Sequence, residues 1–274
     1  MPRVQVLGLL RFSYPSVYNR RGEDDFEAYR ATLYDPARLD RRLLWFEYVV
    51  LPSLAKQTDP DFLCPLLVGD QLPEPYRGRL SKMCAAVPQV KLCLEPEGQR
   101  HRLAVKALME AHSDETADAV AEFQLDDDDG VADSFVEMTR AYFDLAEPLL
   151  DLHKRVTLDF CSGIMLRADA GGIALKPVQE RLWTPALVTY RRPGLRTILR
   201  MVSHLELWQH MPCISIDKPP MFVRGAHEDN VSNLSKRWGK HGTDDSDPDE
   251  IAAVLRDRFG IDLVAMEKAR AALP

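Results

Sequence analysis

Short apolar runs alternate with segments of helical period along the first half of this chain, and that alternation leaves few folds open. Val4–Leu10 is a nearly continuous apolar run, as expected of a strand covered on both faces. The polar stretch Tyr14–Asp35 lacks periodicity and reads as a loop. Leu39, Leu43, Phe46 and Val50 then recur at helical spacing, with Asp40 and Glu47 on other faces, and Pro52 is placed to kink the helix before Ser53–Gln57. Phe62–Val68 is a second strand ending at Gly69-Asp70, and Tyr76–Ala86 a helix stopped near Pro88. Val90–Leu94 is a third strand. His101–Ala111 is a helix with apolar positions at 103, 104, 107 and 108, and Ala119–Leu125 is a fourth strand. Such repetition predicts a mostly parallel sheet flanked by helices. Ligands of these sheets sit at the carboxyl ends of the strands.

The second half is less regular. Asp133–Leu150 reads as a helix, Val156–Leu166 and Gly172–Leu175 as strands joined through a Gly-rich turn, Arg196–His210 as a helix and Met221–Gly225 as a strand. Asp247-Pro248-Asp249-Glu250 is a helix start, with Asp as N-cap and Pro in the first turn. No internal repeat or linker divides the 274 residues, so one continuous α/β domain over 1–274 is expected. With 35 Lys+Arg against 42 Asp+Glu the net charge is −7, which argues against a dedicated nucleic-acid binder. No apolar run is long enough for a membrane helix, and Val4–Leu10 has no cleavage site behind it. Cys64, Cys84, Cys93, Cys161 and Cys213 form no C-x-x-C pair and read as reduced thiols, which points to the cytoplasm.

The chemistry concentrates at Asp126-Asp127-Asp128-Asp129, which ends the apolar segment Val120–Leu125. Four adjacent carboxylates repel one another and favour protonation or a bound cation. Oxygen ligands suit Mg²⁺ or Mn²⁺, held by one or two carboxylates plus substrate phosphates. The ordinary alternative is a solvated acidic turn, as for Asp244-Asp245-Ser246-Asp247, but a strand end is an unusual place for one. His227 follows a strand-like stretch, and a neutral imidazole suits a divalent transition metal. Trp183, Trp208 and Trp238 fit core positions better than sugar platforms.

Phe123-Gln124-Leu125-Asp126-Asp127-Asp128-Asp129 resembles the D-x-D region of GT-A glycosyltransferases. Arg38-Leu39-Asp40-Arg41-Arg42, Phe46-Glu47, Leu51-Pro52-Ser53-Leu54, Gln57-Thr58-Asp59 and Val68-Gly69-Asp70 narrow the resemblance to the bacterial rhamnosyltransferase family, over about residues 4–135. The resemblance implies a GT-A-like, Rossmann-like fold with an irregular C-terminal half. Residues 1–135 would bind a nucleotide sugar, and 136–274 would form the acceptor side and a C-terminal helix. It implies a metal-dependent transfer of a hexose, rhamnose by the family's name, from a nucleotide-diphosphate donor to a glycan, a lipid-linked acceptor or another hydroxyl.

Carried over position by position, Arg11, Phe12 and Ser13 would contact the nucleotide and Asp70 would read the base. Arg102 and Lys106, one turn apart on one helix face, would meet the base or diphosphate. Asp126 and Asp127 would touch the donor, and Asp128, Asp126 and His227 would hold Mn²⁺ or Mg²⁺. An inverting transfer needs a carboxylate base, for which Asp129, Glu206 and Asp229 are candidates; a retaining one does not, and the residues leave both open. The same carboxylates would serve nucleotidyl or phosphoryl transfer, although no P-loop is present. They would also suit a module that binds a nucleotide sugar or glycan without turnover.

Overall fold

The apolar runs assemble around one buried strand in the computed structural model, which describes residues 2–17, 23–169, 171–227, 238 and 247–273. That strand, β4 (Ala119–Leu125), is buried at every residue. Beside it β1 (Val4–Arg11) runs parallel with Leu10 opposite Leu125, followed by β2 (Cys64–Gly69) and β3 (Val90–Glu95), also parallel. On its other flank β9 (Leu187–Arg191) is antiparallel, then β6 (Arg155–Phe160) and β10 (Cys213–Ile216) complete a sheet of order β10-β6-β9-β4-β1-β2-β3. The mostly parallel sheet flanked by helices is the GT-A-like architecture expected.

A second sheet of order β5-β11-β7-β8 comprises β5 (Gly130–Val131), β7 (Ser162–Asp169), β8 (Gly172–Gln179) and β11 (Phe222–Ala226). Only Cys161 separates β6 from β7, so the strand expected over Val156–Leu166 is two strands in two sheets. An uninterrupted apolar run cannot report that change of sheet.

Alternation along β4 sorts its side chains. Ala119, Ala121, Phe123 and Leu125 enter the main core, while Val120 joins Leu7 and Leu9 under α5 (His101–His112). The buried face of α5 is Ala104, Val105, Leu108 and Met109; Leu103 and Ala107, expected inside, are exposed. Phe123 meets Phe135 edge-on at 5.0 Å, and Phe135 meets Phe160 at 5.9 Å. This chain ties α6 (Phe135–Ala141) to both β4 and β6, each pair adding about 0.5–1.5 kcal/mol beyond area burial. α7 (Phe143–His153) follows α6 on the same side of the core.

The helix over α2 (Pro36–Trp45) continues through a π turn at Phe46–Val50 into α3 (Leu51–Ala55). Pro52 lacks an N–H, and the wider turn before it absorbs that loss. Leu39, Leu43, Phe46 and Val50 are all buried as their spacing predicts. α4 (Tyr76–Ala85) joins β2 to β3. The polar stretch Tyr14–Asp35 is not simply a loop, since it contains α1 (Glu23–Leu33), whose weak apolar stripe gave no period to read. Arg196–His210 is not an α-helix; only His204–Gln209 winds, as a 3₁₀ turn. Asp247 caps α8 (Pro248–Phe259) by accepting from the Asp249 N–H at 2.9 Å, and α9 (Leu263–Ala271) follows. Trp208 is 61% exposed, against the core role expected of it. No described helix is long and apolar enough to cross a membrane.

Candidate active site

The parallel register that puts Leu10 opposite Leu125 also brings Arg11 beside Asp126, and the Arg11 guanidinium pairs with that carboxylate. Beyond Asp126 the backbone turns into β5, and the next three carboxylates are buried. Arg42, from the buried face of α2, clasps Asp127 with two nitrogens, Nε donating to Oδ2 at 3.0 Å. Its Nη1 also reaches Asp128 Oδ2 at 3.3 Å and His227 Nε2 at 2.7 Å. His227 lies just past β11, its ring over Trp45 with centroids 5.1 Å apart. Asp129 accepts from the Gly225 N–H at 3.3 Å and faces Arg224 at 3.8 Å. That approach requires glycine: a Cβ at position 225 would lie 2.5 Å from the Asp128 carbonyl oxygen.

Electrostatics separates the four acids. Burial alone would raise Asp128, but Arg42, His227 and Arg224 outweigh it and hold the carboxyl well below its usual range. Burial likewise opposes ionisation of Asp126, and Arg11 overcomes it. At Asp129 burial wins, so its carboxyl is raised well above the usual value. Its Oδ2, with Nε and Nη1 of Arg224, has no hydrogen-bond partner.

The donor set bears on a divalent ion. Among the described residues no three His, Cys, Asp or Glu side chains converge as a cage. Asp128 Oδ2 and His227 Nε2 nevertheless lie 2.8 Å apart, both against Arg42 Nη1. One ring nitrogen cannot accept from Arg42 and donate to Asp128 at once. When it accepts, two lone pairs from protein converge on one cationic point. Two protein donors completed by substrate phosphates is a set that Mg²⁺ or Mn²⁺ takes, so the residues fit such an ion.

A cavity of about 420 Å³ opens on the α5 side of β4, reaching Gln124, two residues before Asp126. Arg100, Arg102 and Arg200 line it with His101 and His204, and among the described residues no Asp or Glu does. The first turn of α5 has no side-chain cap. His101 touches Arg11 at 3.2 Å; burial, Arg11 and Arg200 drive its pKa down to about 3, so it is neutral at physiological pH.

The remaining expected residues scatter. Phe12 is buried edge-on against Phe46 at 5.9 Å, and Ser13 accepts from Arg38 at 2.9 Å. Asp70 is exposed at the end of β2, accepting from the Glu97 N–H at 3.3 Å. Arg102 reaches the cavity, whereas Lys106 pairs with Glu110 at 3.3 Å and is absent from its lining. Glu206 is exposed on the 3₁₀ turn, and Asp229 lies outside the described residues. Sequence reasoning missed the roles of Arg42, Arg200 and Arg224. Arg42 had a signal, since Leu39, Arg42, Leu43 and Phe46 share one helical stripe that is otherwise apolar.

An α/β sheet with a carboxylate run and a cationic cavity at its carboxyl edge has the layout of a ligand-binding α/β protein. The sequence matches the family described as "Putative rhamnosyl transferase" over residues 5–237. The chain belongs to that family, and its class of activity is glycosyl transfer. No curated protein matches it. Among solved structures it is similar to S. aureus TarS 1–349 in complex with UDP-GlcNAc, at 10% identity and a TM-score of 0.45, over 98% of this chain and 71% of that one. It is also similar to the mannosyltransferase PcManGT from Pyrobaculum calidifontis in complex with GDP-Man and Mn²⁺, at 14% identity and a TM-score of 0.42, over 99% and 70% of the two chains.

Proposed function

We propose that this chain transfers a hexose, rhamnose by its family's name, from a nucleoside-diphosphate sugar to a hydroxyl of a glycan or lipid-linked acceptor. The observation that carries the reading is the cavity lined, among the described residues, by three arginines and no acid at the carboxyl end of β4, in a chain of net charge −7. A diphosphate leaving group gains charge as the glycosidic bond breaks, and fixed cations at that point lower the barrier. Arg102 and Arg200 would bind the diphosphate, and neutral His101 would keep Arg11 turned onto Asp126. Asp70, Phe12 and Ser13 stand at the strand ends where the nucleoside would lie.

Asp128 and His227 would hold Mn²⁺ or Mg²⁺, with Asp126 on the donor side. When bound, the ion supplies further neutralisation of the diphosphate. Arg42 retains its clasp on Asp127 while yielding its Nη1 contacts. For an inverting reaction the base would come from Asp129, Glu206 or Asp229. Of these, Asp129 is the one that stands beside the Asp128–His227 pair, accepting from the Gly225 N–H. In this reading the division into a donor half (1–135) and an acceptor half (136–274) is not clean, since Arg200 and its neighbours from the second half line the donor cavity.

Thermal unfolding with UDP, dTDP, GDP and CMP, each with and without Mn²⁺, tests the proposal. Ligands that bind only the native state raise the melting point. One nucleoside diphosphate should do so, more strongly with the ion. No shift with any of them refutes the reading; a shift without turnover of the matching sugar leaves a binding module.

A further inference from the structure

A second cavity, of about 300 Å³, lies at the other end of the carboxylate run, between α2, the end of β7 and the C-terminal helix α9. His227 lines it, and the same imidazole touches Asp128 at 2.8 Å, so this cavity stands one ring away from the run. Its character is opposite to that of the first. The floor is Trp45 with Leu44 and Ala168, all buried; the rim carries Asp40 and Asp169 against Arg41 and Arg270, a balance of two acids and two bases.

The acids of that rim are held in place. Asp40 is fixed by Arg79 at 2.6 Å, and Asp169 by Arg167 at 3.2 Å and the Gly171 N–H at 2.9 Å. Arg270 is clamped by both oxygens of Glu267 at 2.7 Å. A preorganised ring of acceptors and donors over an apolar, aromatic floor suits a ligand with many hydroxyls and no net charge. A phosphate would meet two carboxylates as well as two guanidiniums and so gain no net charge attraction, and an aliphatic chain would displace water from this polar rim without replacing its hydrogen bonds.

We propose that this cavity is the acceptor subsite and that it takes an uncharged sugar residue of the growing glycan. The assignment rests on the glycosyl-transfer reading. It places donor and acceptor at opposite ends of Asp126–Asp129, with anion selectivity at one end and polyol selectivity at the other. The C-terminal helix is then a wall of the site, since Leu273, just past α9, lines it.

Saturation-transfer NMR with methyl α-L-rhamnopyranoside, methyl α-D-galactopyranoside and glucuronic acid tests this on the whole chain. Ala37→Trp and Leu273→Trp fill the cavity from opposite walls, and Ala37 is exposed, so the fold tolerates the added ring. At least one methyl glycoside should show transfer, glucuronic acid less. Both variants should weaken that transfer by about tenfold or more while the nucleotide-induced rise in melting point is kept. No transfer from either methyl glycoside, transfer unchanged in both variants, or preference for glucuronic acid overturns the proposal. Failure of the transferase reading shows separately, as a wild-type protein whose melting point no nucleotide moves.

Discussion

Replacing Arg42 by Met removes a guanidinium that is only 7% exposed and leaves Asp127 and Asp128 buried beside an apolar stem. Removing one partner of a buried ion pair costs about 3–5 kcal/mol, because the remaining charge is stranded. Against a total of about 5–15 kcal/mol for a domain, that is a large loss. Its pH dependence follows from Asp128. In the wild type its carboxyl is depressed, so the pair's contribution is complete above the unfolded value of about 4 and disappears only as pH falls through the lower folded value. Without Arg42 the largest of the charges that offset burial is gone and that carboxyl rises from its wild-type value, so the stranded charge costs most at neutral pH and is relieved as protons bind. Urea unfolding of both proteins in EDTA should therefore show the largest deficit at about pH 7 and a smaller one near pH 4.5. Mn²⁺ added to the variant should restore part of it by taking the vacated contacts. A deficit below about 0.5 kcal/mol at neutral pH, or one that grows on acidification, refutes the account of Arg42 as the run's resident cation.

Gly225→Ala should cost about 1–3 kcal/mol by melting temperature, with loss of activity, because the new methyl collides with the Asp128 backbone. Arg200→Ala should weaken nucleoside-diphosphate binding by about 1.5–3 kcal/mol and flatten its salt dependence, both measured by calorimetry. His101→Gln should make stability less sensitive to acid between about pH 6.5 and 4: the native imidazole stays neutral down to about pH 3 while the unfolded one takes a proton, so the wild type loses stability over that interval. An unchanged slope in urea titrations would contradict the burial assigned to that ring.

The first half of the fold was legible because each element announced itself by period and by its stops. The four acids stood out because a buried strand does not end in charge without reason. What stayed hidden is long-range. Arg42 meets Asp127 across 85 positions and His227 across 185, and no local pattern encodes either distance. β9 and β10 were missed since Leu187–Arg191 and Cys213–Ile216 are short and become strands through pairing with β6. Lys106 shares a helix face with Arg102 in projection, yet an i,i+4 glutamate claims it.

The crossing at Cys161 has a consequence for the site. Asp126 is tied through Arg11 to the large sheet, whereas Asp128 and Asp129 are tied through His227 and Gly225 to the end of β11 in the small one. The carboxylate run is thus a bridge over a seam, and its charge spacing acts as a ruler of how the two sheets are aligned. Any slip along that seam, even one begun as far away as Cys161, would be felt as a change in the distance between two aspartates.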